Sequence, residues 1–476
     1  MGVDNIRVPR RYRVAFMLNS GLALCITYRL ILSLAMIEMT KNLSGSNTTQ
    51  LEKCISSQLA DYPYLVNERQ SSMDDWNCPK LQGFVKASFF PGYIISHVPG
   101  GYASDAFGGS FLFSIGVLIS GLLTIASPFC IQISPYLYIA NRFLQGVSQG
   151  PLFAALNSLL AQWSPPQERT RLSFFSNLGI VIGQVFGNTL VGLILHWFDS
   201  WASSFYIFGA LCIPWTFLWF TTVSDSPRTS SSITPEEKEF ILSSIGDETS
   251  DIVQHKSVPW KQLFLSVPFW VLVLVNFGQD WGFYTINVNL PLFMHDVLHF
   301  NIYENGLVNA LPWLILFFVT SSTAFMADWI ILKSYASKTF TRKSFATLAS
   351  VGSAVFMVGA SYAGHSRVIT VLMFVLSVSM FGFVYVSVWV NTLDIAPNFA
   401  GIVFAFVNGI GGFAGIFSPL LIGYLIVEGS VEEWQICFWI VANIMVVTLI
   451  PFLLFGSAEV QPWNELNVPA RSSDSK

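Results

Sequence analysis

The chain is a series of long apolar stretches separated by short polar segments. Runs of 18 or more mostly apolar residues recur along nearly its whole length, and each can cross a hydrocarbon core of roughly 30 Å. The stretches predicted as membrane-spanning helices are about 14–37, 82–103, 110–132, 136–160, 173–196, 203–224, 267–291, 304–327, 344–364, 368–391, 401–426 and 434–456. The pattern therefore predicts an all-α membrane protein with twelve transmembrane helices.

The composition agrees with this pattern and excludes a soluble protein. Of the 476 residues, 53% are hydrophobic and 11% are charged, whereas soluble chains contain about 25% charged residues. The first stretch is too long for a cleavable signal peptide, and no small-residue cleavage pattern follows it.

The distribution of Lys and Arg predicts the orientation in the membrane. Most of the 24 basic residues fall in the N-terminal tail 1–13, in the segments after every second stretch and in the C-terminal tail 457–476. Because basic residues are enriched in cytoplasmic loops, both termini are predicted to be cytoplasmic. The loop 38–80 then faces outward.

Four features of the loop 38–80 favour this outward position. Asn42 and Asn47 begin glycosylation sequons, which are modified only on the luminal side. Cys54 and Cys78 lie in the same loop, where an oxidising compartment permits a disulfide. The alternative is that the sequons occur by chance and both thiols are free.

The chain divides into two parts of similar design. The segment 225–266 separates an N-terminal half, 14–224, from a C-terminal half, 267–456. Within this linker, Thr234, Pro235 and Glu237 predict a short helix to Ser244, with Glu237 closing a capping box. Asp105 and Asp328 occur in equivalent loops of the two halves, which indicates a duplicated six-helix unit.

Apart from Glu304 at the first position of its span, four charged residues lie inside the predicted spans. Three are cations, Arg29, Lys86 and Arg142, and one is an acid, Asp280. A charge in hydrocarbon costs a few kcal/mol or more, so such residues usually face a cavity with a function. The excess of cations predicts a bound anion.

Several ordered motifs are similar to those of one known family. They are SFFPGYII at 88–95, PGGY at 99–102, WSPPQERTRL at 163–172, FYIFG at 205–209, ENGL at 304–307 and NTLDIAP at 391–397. The set resembles the anion:cation symporter family of the major facilitator superfamily, which includes sialin, the vesicular glutamate transporters and the type I sodium–phosphate transporters. The resemblance implies the major facilitator fold.

The resemblance also implies roles for individual residues. Arg29 and Arg142 match positions where members place an anion-contacting arginine, and Lys86 stands where the vesicular glutamate transporters have a histidine. Lys86 could equally extend to the outer interface.

Gln145 and Gln149 lie on the face of Arg142 at i+3 and i+7. Further candidates for lining the substrate cavity are Tyr28, Tyr93 and Asn391.

Departures from the family pattern bear on the coupling ion. Sialin-like members have glutamates at the positions of Gln145 and Gln149, and an amide cannot titrate. This difference favours the sodium–phosphate and organic-anion branch. Gln279 replaces an arginine of the glutamate transporters, which argues against a glutamate carrier. Asp280 either pairs with a cation or titrates, and His97 is a second candidate for coupling.

The sequence thus predicts a secondary transporter of organic or inorganic anions, driven by membrane potential, sodium or both. The alternatives are a proton-coupled exporter of acidic sugars or amino acids using Asp280, and an anion sensor that does not transport.

No catalytic motif and no metal-spaced Cys/His cluster occurs, so an enzyme is not expected. Na⁺, H⁺ and Cl⁻ are the possible coupling ions, and no cofactor is expected. We expect a monomer in the plasma membrane, with a small anionic substrate and the lipid bilayer as its partners and no nucleic acid.

Overall fold

A computed structural model describes residues 9–41, 76, 78–165, 168–230, 233–245, 259–363, 366–397 and 399–464. Each of the twelve predicted stretches is helical in this structure. The helices of the first half are α1 (Arg10–Lys41), α2 (Pro79–Ala87 and Phe89–Phe107), α3 (Gly109–Ile133), α4 (Pro135–Gln149 and Leu152–Trp163), α5 (Arg169–Phe198) and α6 (Ser203–Ala210 and Cys212–Thr222).

The second half repeats this plan. Its helices are α7 (Val267–Asp296), α8 (Ile302–Leu332), α9 (Lys338–Thr347, Leu348–Gly352 and Ser353–Tyr362), α10 (Arg367–Met380, Gly382–Val384, Tyr385–Trp389 and Val390–Ile395), α11 (Ala400–Gly411 and Ala414–Leu425) and α12 (Val431–Phe455). The segments Leu348–Gly352 and Tyr385–Trp389 are π-helical. Insertions of this type often occur at functional sites.

In the part of the chain that the structure describes, nine helices are long enough and apolar enough to cross a membrane. Length and composition are the only criteria used for this count. Helices α2, α4 and α7 are not among them. Each of these three carries buried polar residues, including Lys86 on α2, Arg142 on α4 and Gln279 on α7. Lys86 and Arg142 therefore lie on helices that are less uniformly apolar, whereas Arg29 lies on α1, which is among the nine.

Each half has its own hydrophobic core. One continuous cluster of buried residues extends from Val14 to Ile241, and a second extends from Leu263 to Trp463. The Pro235–Ile245 linker helix contributes Ile241 to the first core. This helix is consequently packed on the N-terminal half.

Glu237 of the linker helix does not close the predicted capping box. Thr234 accepts a hydrogen bond from the backbone N–H of Glu237 as expected (3.3 Å). The Glu237 carboxylate instead accepts the backbone N–H groups of Arg10 and Arg11 at 2.8 and 3.2 Å. These are unpaired donors of the first turn of α1, so a carboxylate from another helix satisfies them.

The halves meet closely at one end of the bundle, here called the Pro79 end. A Cβ atom added to Gly83 of α2 would lie 2.7 Å from the Pro419 carbonyl oxygen and 3.3 Å from the Gly423 Cα atom of α11. A Cβ atom added to Gly192 of α5 would lie 3.1 Å from the Gly306 Cα atom of α8. Small residues allow backbones to approach in this way, and they close the halves together at the Pro79 end.

Candidate functional site

The first part of the candidate site joins α1, α3 and α4. Arg29 on α1 donates from Nε to the Gln149 side-chain oxygen on α4 (2.7 Å). The amide nitrogen of Gln149 donates in turn to the Ser120 hydroxyl on α3 (2.6 Å). Because Ser120 fixes the amide, the Gln149 oxygen is presented to the guanidinium group.

A second chain of the same kind lies one turn away. Arg142 on α4 donates from Nη1 to the Gln145 side-chain oxygen (3.0 Å), and the Gln145 nitrogen donates to the Thr124 hydroxyl (3.2 Å). Gln145 and Gln149 are separated by four residues, as are Ser120 and Thr124. The helical repeat therefore produces two parallel arginine–glutamine–hydroxyl chains.

Phe89 of α2 lies against both arginines. Its ring centroid is 4.5 Å from the Arg29 Cζ atom and 5.4 Å from the Arg142 Cζ atom. Tyr93, one turn further, lies 5.1 Å from the Arg29 Cζ atom and stacks on Phe89. The faces of the rings carry negative potential, so they stabilise the cations without neutralising them.

Among the residues that the structure describes, neither guanidinium group forms an ion pair with a carboxylate. The ion pairs found within the described residues involve Arg11, His295 and Arg342, and none includes Arg29, Arg142 or Lys86. Arg142 is 5% exposed, and its Nε atom is buried without a hydrogen-bond acceptor. Two like charges near one aromatic ring repel each other, and a bound anion would relieve that repulsion.

Lys86 lies apart from the arginines, at the contact between the two halves. It is 5% exposed, and Nζ donates to the Asn289 side-chain oxygen on α7 (3.3 Å). A pocket lined by Gln82, Lys86, Asn289 and Pro419 surrounds it. The buried ammonium group thus has a neutral partner and bridges α2 to the C-terminal half.

Asp280 faces α11 rather than an arginine. The amide nitrogen of Asn276 donates to its Oδ2 atom (2.7 Å) and also to the Val407 carbonyl oxygen (3.2 Å). Of the two expectations for Asp280, an ion pair with a buried cation is not among the ion pairs recorded in the described residues.

The other coupling candidate, His97, is close to the aromatic pair. Its ring centroid lies 5.5 Å from that of Tyr93, and Nδ1 lies 3.2 Å from the Gly150 carbonyl oxygen on α4. His97 therefore extends the polar surface of α2 by one turn beyond Tyr93.

Within the described residues, two other candidates, Tyr28 and Asn391, and the non-candidate Gln279 have no recorded contact with the arginines. Tyr28 is buried in the core of the N-terminal half, with its hydroxyl beside Gly121 on α3. Asn391 is buried on α10, next to the π-helical segment, and both its amide atoms have no recorded partner. Gln279 donates to the Ser350 hydroxyl on α9 (3.1 Å).

The predicted outer loop is only partly described. Cys78 is disulfide-bonded, whereas its predicted partner Cys54 and the sequon residues Asn42 and Asn47 lie outside the described residues. The remaining four cysteines are free and buried, as expected for packing residues.

Several residues of the site escaped prediction from sequence. Ser120 and Thr124 form a polar stripe on α3 at i and i+4, a signal that was present in the sequence. Phe89 carried no signal, because an aromatic residue in an apolar span is usually a packing residue. Asn276 and the Val407 carbonyl meet Asp280 through tertiary contact between α7 and α11.

Comparison with known proteins identifies related transporters. The family description "Major Facilitator Superfamily" matches residues 62–419. Sialin from Ovis aries is 34% identical over 95% of this chain and 90% of its own length. Vesicular glutamate transporter 1 from Xenopus tropicalis is 31% identical over 98% of this chain and 78% of its own length.

A solved structure has the same fold. The inward-facing, occupied form of a bacterial homologue of the human lysosomal transporter Spinster superimposes with a TM-score of 0.68. It covers 94% of this chain and 97% of its own, at 14% sequence identity. The predicted fold of two six-helix halves is thereby confirmed.

Proposed function

This chain belongs to the Major Facilitator Superfamily, in the family of sialin and the vesicular glutamate transporters, and from this premise we propose that it transports small organic or inorganic anions by alternating access. Family membership confirms the predictions of a multi-pass membrane protein and of a transporter rather than an enzyme. The substrate, the coupling ion and the roles of individual residues are our proposals.

One observation carries the proposal of an anion substrate. Arg29 and Arg142 flank Phe89, and the recorded acceptors of both guanidinium groups are glutamine side-chain oxygens. A guanidinium group binds carboxylate or phosphate through two parallel hydrogen bonds, which are stronger than bonds to a neutral amide. An anion entering between the arginines would therefore replace the amide oxygens.

Gln149 and Gln145 orient Arg29 and Arg142 through these hydrogen bonds before the anion binds. Ser120 and Thr124 orient the two amides, so each arginine has an acceptor while no substrate is bound. A neutral acceptor satisfies the buried donors without cancelling their charge. Gln145 and Gln149 are thus positioning residues in this proposal, and Tyr93 and Phe89 form the aromatic side of the site.

The glutamines also bear on energy coupling. Gln145 and Gln149 do not titrate, so we propose that membrane potential, sodium or both drive transport. Moving one net charge across the membrane yields about 2.3 kcal/mol per 100 mV. With both termini cytoplasmic, as the basic residues predict, an inside-negative potential favours anion export unless a cation accompanies uptake.

Closure at the Pro79 end supports alternating access. In the predicted orientation this end faces outward, and the Gly83–Gly423 and Gly192–Gly306 approaches hold it shut. Lys86 and Asn289 add a hydrogen bond across the same region. We propose that these contacts separate when the site opens outward, while each half keeps its own core.

We propose an internal membrane as the compartment and a monomer as the transporting unit. We predicted the plasma membrane, but one relative is named as vesicular, which favours an internal membrane. Immunofluorescence of the tagged full-length protein beside markers of the cell surface and of acidic vesicles will distinguish the two. We also propose that a monomer carries out transport, which chemical cross-linking of the purified, transport-active protein tests.

Proteoliposome uptake tests the proposal. Purified protein is presented with radiolabelled phosphate, urate, glutamate and sialic acid under an imposed potential, a sodium gradient or a pH gradient. We expect saturable uptake of at least one anion, driven by potential or sodium. Uptake driven by the pH gradient alone would instead favour proton-coupled export through Asp280, and binding without uptake would favour an anion sensor.

A further inference from the structure

Helix α11 is interrupted opposite Asp280. Its first part ends at Gly411 and its second begins at Ala414. At the interruption, the N–H of Phe413 donates to the Ile410 carbonyl, three residues back. A Cβ atom on Gly411 would lie 2.5 Å from the Asn276 side-chain nitrogen and would overlap Asp280 Oδ2. The missing side chain therefore lets the Asp280 carboxylate contact the end of the helix segment.

This arrangement concentrates negative potential. The C-terminal end of a helix carries a partial negative charge from its carbonyl groups, and here it meets a carboxylate. The recorded hydrogen-bond donor to Asp280 in the described chain is a neutral amide, that of Asn276. A carboxylate in the membrane is costly unless it binds a proton or a positive charge compensates it, and a bound cation would supply that charge.

The surrounding atoms are oxygen donors. The Val407 carbonyl oxygen lies 3.2 Å from the same Asn276 nitrogen that contacts Asp280. Asn276 is 0% exposed, and its side-chain oxygen is buried without a partner. Rotating this amide by half a turn would bring its oxygen to the place where the carboxylate and the carbonyl converge.

We propose that Asp280, Asn276 and the Val407 carbonyl form a binding site for one sodium ion. Carboxylate, amide and carbonyl oxygens are typical ligands of hard cations. A single carboxylate matches a monovalent rather than a divalent charge. The Val407 carbonyl lies one turn before the interruption, and the absence of a side chain at Gly411 lets the Asp280 carboxylate approach α11 there.

Helix α2 links this sodium site to the anion site. Phe89 and Tyr93 lie against Arg29, whereas the next residues along the helix, Phe90 and Ile94, face α11. A Cβ atom on Gly412 would lie 3.0 Å from Ile94, and Phe90 lies against Gly415. An ion that orders the interruption of α11 would therefore change the packing of the helix that carries the aromatic side of the anion site.

Sodium binding is measurable without transport. Detergent-purified protein is titrated with NaCl against choline chloride at constant ionic strength, with thermal stability and ²²Na⁺ binding as readouts. We expect saturable stabilisation by Na⁺, and a loss of Na⁺ affinity of at least tenfold in Asp280→Asn and in Gly411→Ala. Gln279→Leu is the matched control, because Gln279 is adjacent in sequence but bonds to Ser350; its Na⁺ affinity should be unchanged.

The possible results separate the sodium site from the transport proposal. Equal stability in Na⁺ and choline, or Na⁺ binding retained in Asp280→Asn, overturns the sodium site. Stabilisation by acid alone assigns a proton to Asp280 and also overturns it. The role in coupling rests on the proposed transport function, but ²²Na⁺ binding does not. If the protein binds sodium but takes up no anion, the proposed transport function is contradicted and the sodium site stands. If Asp280→Asn does not fold, Asp280→Glu and Asn276→Ala supply the comparison.

Discussion

Arg29 and Gln149 are joined by a 2.7 Å hydrogen bond between α1 and α4, with the guanidinium group donating to an amide oxygen. A carboxylate at position 149 would neutralise the arginine, whereas the amide leaves its charge available. In this chain the pair therefore leaves the positive charge of Arg29 available to a bound anion.

The first prediction concerns this pair directly. Gln149→Glu should lower anion uptake at neutral pH, since the new carboxylate competes with the substrate for Arg29. Uptake should then rise as the pH falls, because a protonated glutamate again acts as a neutral partner. A pH series of initial uptake rates in proteoliposomes measures the effect. Gln149→Leu is the control, because it removes the acceptor without adding a titrating group; pH dependence of the same size in both variants would refute this explanation.

The second prediction concerns Phe89. Phe89→Leu removes the ring shared by the two arginines while keeping an apolar side chain. Each cation–π contact is worth about 0.5–2 kcal/mol, so the KM for the anion should rise by roughly 2- to 30-fold. The comparison is Phe84→Leu, since Phe84 is 57% exposed on the outside of the same helix. A KM that changes equally in both variants would remove Phe89 from the site.

The third prediction tests closure at the Pro79 end. Gly83→Val should hold the two halves apart at this end, because a Cβ atom at Gly83 would lie 2.7 Å from the Pro419 carbonyl oxygen. Anion uptake into proteoliposomes should therefore fall. Gly101→Val on the same helix is the control, because a Cβ atom there meets no atom within 4 Å. Wild-type uptake by Gly83→Val would show that transport does not need this close approach.

The fourth prediction concerns the polar end of α1. Arg11 donates to Glu168 at 2.7 Å, and this hydrogen bond lowers the pKa of the Glu168 carboxyl group. The resulting stabilisation is present above the ordinary glutamate pKa of about 4.3 and is lost as the pH falls through the lower folded value. Glu168→Gln should therefore reduce stability at neutral pH by about 0.2–1 kcal/mol.

Thermal unfolding at pH 7 and at pH 3.5 measures this difference, which should shrink at the lower pH. Glu239→Gln is the control, because Glu239 is exposed on the linker helix. A stability difference that stays constant between the two pH values would contradict the assignment.

Prediction from sequence succeeded for features that depend on residues of a single helix. The apolar stretches located the twelve helices, and the spacing of Gln145 from Arg142 placed them on one face, where they are hydrogen-bonded. Gln149 was expected on the face of Arg142, but its partner is Arg29 of another helix. Spacing along one helix cannot reveal such a tertiary pairing.

Sequence spacing also failed to predict the contacts of residues whose partners lie on other helices. Glu237 has the spacing of a capping box, yet the N-terminus of α1 offers it two free donors and the charge of Arg11. Tyr28 neighbours Arg29 in the sequence, but successive helical residues point in different directions, so it lies in the core of the N-terminal half. Asp280 meets Val407 and Gly411 only because α7 packs on α11.

The most direct measurement of the central claim compares anion uptake by Arg29→Gln, Arg142→Gln and Arg367→Gln with uptake by the wild type. Arg367 is an exposed arginine that bonds to the His299 carbonyl oxygen, away from the site, and it controls for loss of positive charge. Hydrogen bonds to charged groups contribute about 1.5–3 kcal/mol, so each site variant should lose about 10- to 150-fold in kcat/KM at normal folding, with Arg367→Gln unaffected. Wild-type uptake by both site variants would contradict the account.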